Sequence, residues 1–140
     1  MASTENVFTY GSLMFPQVWQ RVVRGSYTSS IATIHGFRRV CVLNGAHPSL
    51  IIARRAPPIQ GRLYFSIDAT DIARLDYFET SAYERVLVSA TVGTSSLHAQ
   101  AYIGLDTARL LDRDWSEAAF AQAGLPMFLS TYAVDNAPPE

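Results

Sequence analysis

Ser30-Ile31-Ala32-Thr33-Ile34, Arg39-Val40-Cys41-Val42-Leu43, Ser49-Leu50-Ile51-Ile52-Ala53-Arg54 and Arg62-Leu63-Tyr64-Phe65 are short β-rich runs, split by Gly36, Asn44-Gly45 and Pro57-Pro58. β-Branched and aromatic side chains fit a pleated, half-buried surface, and the Gly, Asn and Pro between the runs supply turns. The stretch from Ser26 to Ser66 therefore predicts an antiparallel or mixed sheet. Upstream, Asn6 to Tyr10 reads as a first strand that stops at Gly11-Ser12. Pro16 suits the first position of a helix in which Val18, Trp19, Val22 and Val23 recur at helical spacing until Gly25. Downstream, Asp68 with Asp71 three residues on resembles a capping box and predicts a helix from Ala69 to Phe78. Tyr83 to Val92 and His98 to Ile103 add two strands. Asp114 and Glu117 are read as the cap of a further amphipathic segment, Trp115 to Ala123, closed by Gly124 and restarted after Pro126. Residues 136–140 read as a frayed tail. Six or seven strands and three short helices without strict alternation predict an α+β fold, a small, mostly antiparallel barrel-like sheet with helices packed on it. The 140 residues fit a single domain.

At 49% hydrophobic and 11% aromatic the chain can build a core, which excludes disorder. A formal net charge of -1 offers no field for a phosphate backbone or anionic lipid, so neither nucleic acid nor membrane is expected as a partner, and no protein partner is indicated. All eleven basic residues are Arg, which removes any Schiff-base or phosphate-cradling lysine. The lone Cys41 cannot close a disulfide within the chain, and His35, His47 and His98 show no metal-ligand spacing. No metal or cofactor is expected. The first residues lack the basic start of a secretory signal, and no apolar run approaches the ~18 residues of a spanning helix. A cytoplasmic setting is the expectation.

Glu79 is the most informative residue. Ile72, Leu75 and Glu79 lie in one stripe of the helix, since Glu79 sits seven residues from Ile72 and so roughly 20° away around the axis. A carboxylate facing the core, next to Phe78 and at the negative end of a helix dipole, is disfavoured as an anion and predicts a raised pKa. The alternative is a helix that frays before Thr80 and turns Glu79 to water. Tyr10-Gly11-Ser12-Leu13-Met14 is the second candidate, a strand-to-helix turn whose free N–H groups can hold a carboxylate or a developing oxyanion. It can equally be an ordinary turn. Cys41 reads as a small core residue, His47 as a loop residue and His98 as a strand-edge one. Tyr83 and Tyr102 read as core-edge aromatics with their hydroxyls in water. Arg38-Arg39 and Arg54-Arg55 read as a solvated surface.

In order and spacing the chain resembles the gamma-glutamylcyclotransferase-like family, in its plant avirulence-induced-gene-like and gamma-glutamylamine cyclotransferase branch. The resemblance is carried by Val7-Phe8-Thr9-Tyr10-Gly11-Ser12-Leu13, Gly61-Arg62-Leu63-Tyr64, Leu75-Asp76-Tyr77-Phe78-Glu79 and Tyr83-Glu84-Arg85-Val86. Asn44-Gly45-Ala46-His47-Pro48-Ser49-Leu50 and the Trp115 to Phe128 ending also fit. It implies a small mixed β-barrel flanked by helices. It implies a substrate-binding loop, Tyr10, Gly11, Ser12 and Leu13, whose backbone N–H groups hold a gamma-glutamyl group, with Glu79 as catalytic acid/base and Tyr83 lining the pocket. Thr80 stands where many relatives carry Gly, and His47 where an aromatic residue is common.

The implied enzyme cyclises a gamma-glutamyl amine or peptide to 5-oxoproline and a free amine. The substrate brings its own nucleophile, so a five-membered ring closes at high effective molarity and one carboxyl relays the proton. Two other functions share the pattern. One is a non-catalytic module that binds a carboxylate-bearing metabolite; the other removes a gamma-glutamyl protecting group from a biosynthetic intermediate.

Overall fold

The computed structural model describes residues 4–43 and 47–131. The turn expected at Asn44-Gly45 and the expected tail lie outside the described residues. Among the described residues there are eight strands: β1 Thr4–Thr9, β2 Ser29–Ile34, β3 Phe37–Val42, β4 Pro48–Ile52, β5 Ile59–Asp68, β6 Tyr83–Val92, β7 Ser95–Gly104 and β8 Leu110–Asp114. Helix α1 spans Pro16–Val22 and α2 spans Ala69–Glu79. A last helical stretch starts as α3, Glu117–Ala119, widens into a π turn at Phe120–Gly124 and continues as α4, Leu125–Thr131.

Five strands close a barrel in the order β1-β5-β2-β6-β7, and β4-β3-β8 form a separate sheet. The barrel pairs are antiparallel except the closing one, where Val7 on β1 meets Gln100 on β7 in parallel. Barrel diameter grows with strand number, so five strands leave a narrow interior. The sequence meets this with alanines: Ala32, Ala90, Ala99 and Ala101 are fully or almost fully buried, and Phe8, Ile34 and Leu63 fill what remains. Gly61 belongs to the same economy, because a Cβ there would lie 2.2 Å from the Thr9 carbonyl oxygen.

A second core lies between the barrel wall and the helices. Alternation along a strand sends Val7 and Phe8 to opposite faces, yet both are buried, Phe8 inside the barrel and Val7 against α1 and α2. Val18, Trp19 and Val22 from α1 join Ile72 and Leu75 from α2 in this layer, as their helical spacing predicts. Trp19 stacks on Tyr64 with ring centroids 3.6 Å apart.

Helix α2 opens as expected, with the Asp68 carboxylate accepting from the Asp71 N–H at 2.8 Å. The reciprocal half of the box is absent. Asp71 instead turns inward and accepts from the Arg24 and Gly25 N–H groups at 3.0 and 2.9 Å, the Tyr27 hydroxyl at 2.6 Å and Arg74 at 2.7 Å. It thereby staples the chain leaving α1 to the first turn of α2.

Other expectations are corrected. The later cap is Ser116, whose hydroxyl accepts from the Ala119 N–H at 3.1 Å, while Asp114 ends β8 and pairs with Arg38. Strand β8 was hidden because Leu-Leu-Asp-Arg-Asp reads as a charged loop; it is an edge strand, and charge on an edge blocks unwanted pairing. Val40, not Cys41, is the buried residue of β3; Cys41 is half-buried.

Candidate active site

Strand β1 ends at Thr9, and the chain bends through Tyr10-Gly11 into a single 3-10 turn, Ser12–Met14, before Pro16 starts α1. The Met14 and Phe15 N–H groups donate back to the Gly11 and Ser12 carbonyls at 3.0 and 3.1 Å. The amides at the head of such a turn have no carbonyl ahead of them to bond. Ser12 and Leu13 are buried. Gly11 is required by proximity, since a Cβ on it would stand 2.6 Å from Cδ of Pro48. The Tyr10 side chain is buried, its hydroxyl donating to the Tyr102 carbonyl and meeting Ser49. Its backbone carbonyl accepts from Nη1 of Arg39 at 2.9 Å.

Glu79 is the last residue of α2. The helix runs one residue beyond the expected end, so the frayed alternative does not hold and the stripe of Ile72 and Leu75 extends to the carboxyl. The chain then turns at Thr80 with φ 66° and ψ -177°, a region that glycine adopts cheaply and a β-branched residue does not. This gives a physical reason for glycine at that position. Burial, then the nearby negative charge of Asp76, pushes the Glu79 carboxyl up to about 8. Among the described residues no hydrogen-bond donor holds it.

Glu79 and the loop line one hollow, together with Phe8, Thr9, His47, Pro48, Tyr83 and Tyr102. All six residues singled out from the sequence, Tyr10, Gly11, Ser12, Leu13, Glu79 and Tyr83, are thus brought together. Tyr83 opens β6 and donates its hydroxyl to the Pro48 carbonyl at 3.3 Å. Burial, then the Glu79 charge, raises its pKa. The hollow measures about 30 Å³. Tyr10, Ser12, Leu13 and Tyr102 are buried, while His47, Tyr83 and Glu79 itself are partly exposed and stand on the open side of the hollow.

His47 lies in a loop as expected but has a contact the sequence does not show, and three other residues of the neighbourhood were misread or missed from sequence. His47 is no bystander: its ring lies 5.5 Å from that of Tyr83, and burial together with the Arg109 charge lowers its pKa. Tyr102 is buried, and its hydroxyl donates to Asp76 at 2.6 Å rather than to water. Ser49, fully buried, accepts from the Gly104 N–H at 2.9 Å and so joins the second sheet to the barrel behind Tyr10. Arg39 is not a solvated surface residue; it packs 5.0 Å above the Trp115 ring, and burial lowers its pKa. One signal was available, because neighbours on a strand face opposite sides, so Arg38 and Arg39 could not both face solvent if one side of β3 was covered.

Among the described residues no three His, Cys, Asp or Glu side chains converge to hold a metal ion. No helix among them is long and apolar enough to cross a membrane.

A family model described as "Gamma-glutamyl cyclotransferase, AIG2-like" matches residues 7–117. "AIG2-like protein D" of Arabidopsis thaliana is 31% identical over 91 residues, 65% of this chain and 59% of that protein. The chain thus spans less than two thirds of that relative's length. Among solved structures, a protein of Arabidopsis thaliana determined in solution superposes with a TM-score of 0.70 at 20% identity, covering 94% of this chain and 82% of its own. A structure titled "Gamma-glutamyl cyclotransferase" superposes with a TM-score of 0.64 at 13% identity, covering 98% and 89%. At such identities the superpositions establish the shared fold.

Proposed function

The chain belongs to the AIG2-like gamma-glutamyl cyclotransferase family, and from that premise we propose that it cyclises a gamma-glutamyl amine or peptide, releasing 5-oxoproline and the free amine. The observation that carries this reading is an unpartnered carboxyl with a pKa of about 8 sharing one small hollow with the head of the Tyr10 to Leu13 turn.

The α-amino nitrogen of the substrate attacks its own γ-carbonyl carbon, the ring C–N bond forms, and the bond to the departing amine breaks. No protein nucleophile is needed, since holding the glutamyl chain curled supplies effective molarity worth about 7–11 kcal/mol of the barrier. The substrate's α-ammonium gives one proton to solvent to become the nucleophilic amine; as that amine attacks, the ionised Glu79 takes its second proton and hands it to the departing nitrogen. A carboxyl with a pKa near ambient pH suits both halves of that relay. Free N–H groups of the turn stabilise the oxyanion of the tetrahedral intermediate. Tyr83 and His47 flank the mouth by which the glutamyl group enters.

The test is incubation with a panel of gamma-glutamyl amines and gamma-glutamyl dipeptides while 5-oxoproline is measured. Release of 5-oxoproline with an equivalent of free amine is expected. Ligand-dependent thermal stabilisation without any product would instead assign a binding role.

A further inference from the structure

We propose that Arg39 is a positioning residue for the Glu79 hollow: by holding the Tyr10 carbonyl it turns the Gly11 N–H toward the substrate's reacting carbonyl. This inference rests on the cyclotransferase reading for its chemical meaning, but its geometry stands apart from it. The peptide joining Tyr10 and Gly11 is trans, and in a planar trans peptide the C=O and the following N–H point in opposite directions. Whatever grips the oxygen therefore fixes where the N–H aims. Nη1 of Arg39 grips it at 2.9 Å.

Arg39 reaches that oxygen from another side of the loop. It lines a groove with Met14, Phe15, Arg38 and Trp115 that shares no lining residue with the hollow containing Gly11 and Glu79. The Tyr10 carbonyl points to Arg39, so the Gly11 N–H is directed away from Arg39, and Gly11 itself lines the hollow.

The grip is itself held firmly. The guanidinium lies 5.0 Å above the centroid of Trp115, a buried ring that also packs against Phe120. The Trp115 N–H donates to the Arg39 carbonyl at 3.2 Å, so main chain and side chain of Arg39 are both tied to this one residue. A partly desolvated cation on the carbonyl polarises the whole amide and strengthens its N–H as a donor. Gly11 can tolerate the exact plane Arg39 imposes because it has no Cβ to strike Pro48.

Arg39→Met keeps the stem over Trp115 and removes the donor; Arg39→Lys restores one donor. Two readouts are taken: the Gly11 amide resonance in protein without ligand, and turnover of whichever gamma-glutamyl compound the parent accepts. The expected result is a moved Gly11 resonance in Arg39→Met with barrel resonances in place, and kcat lower by about 10- to 100-fold with KM much less affected, because losing a single oxyanion donor is felt mainly in the transition state. Arg39→Lys should fall between parent and Met on both scales. If the parent releases no 5-oxoproline the functional reading fails, while the Gly11 resonance still decides whether Arg39 orients the peptide. A Gly11 resonance that stays put, or an unchanged kcat in an active parent, overturns the proposal.

Discussion

Two acidic residues on α2, Asp71 and Glu79, lie eight residues apart, the first fully buried and the second half-buried in the hollow, and the protein treats them in opposite ways. Burial alone would raise the pKa of Asp71, yet the Tyr27 hydroxyl, the Arg24 and Gly25 amides and Arg74 outweigh it and hold the carboxylate below its ordinary range. Glu79 has burial and the Asp76 charge working in the same direction and, among the described residues, no donor to offset them, so its pKa climbs to about 8. The contrast separates a structural acid from a chemical one: the first is an anion completed by its partners, the second a proton carrier left incomplete.

The contrast can be broken first at Glu79. Glu79→Gln should slow cyclisation by about 10²- to 10⁴-fold, the usual worth of a general acid/base, with the fold intact. The same substitution should raise thermal stability at pH 9 and hardly change it at pH 5. A carboxyl whose pKa is raised on folding favours the native state least once pH exceeds the folded value, so removing it relieves the most strain in alkali. Parallel rate measurements and melting curves at the two pH values check this, and a Gln variant as active as the parent would remove Glu79 from the mechanism.

Asp71→Asn should behave the other way round, lowering stability by about 3–5 kcal/mol, as breaking a buried ion pair does, without touching the hollow. In the parent, a depressed Asp71 pKa means its stabilisation is fully present above the ordinary carboxylate range and is lost as pH falls through the lower folded value. Denaturant unfolding between pH 7 and pH 2 should therefore converge for parent and variant in acid; curves that stay parallel would show that the charge is not what the staple supplies.

The smallest effect is expected beside Glu79. Thr80→Gly should stabilise the protein by about 1 kcal/mol, because relief of a backbone conformation costing about 1–3 kcal/mol exceeds the extra freedom glycine gives the unfolded chain. The Ala82 N–H loses its bond to the Thr80 hydroxyl, 3.3 Å and solvent-exposed, a small loss. A melting temperature below that of the parent would show that Thr80 is not strained.

Local periodicity made much of this architecture readable. The stripe Ile72, Leu75, Glu79 placed the carboxyl, Pro16 and Asp68 marked helix starts, and Tyr83 to Val92 matched its strand end for end. What stayed hidden depends on contacts between distant segments. The edge strand Leu110–Asp114 has too many charges to show alternation, and only its pairing with β3 and the link from Arg38 to Asp112 and Asp114 make it a strand. His47 carries no pattern of its own and gains meaning from meeting Tyr83, 36 positions away. Asp71 looked like half of a cap because its further partners, Arg24, Gly25 and Tyr27, lie four strands earlier in the chain.

The most direct measurement is a carbon-13 NMR titration of the Glu79 side-chain carboxyl in the unliganded protein, with Asp71 as an internal reference in the same spectra. A midpoint near pH 8 for Glu79, with Asp71 still ionised well below the usual carboxylate range, is the predicted result. A Glu79 midpoint at the value of an exposed glutamate, near 4.5, would contradict the account at its centre.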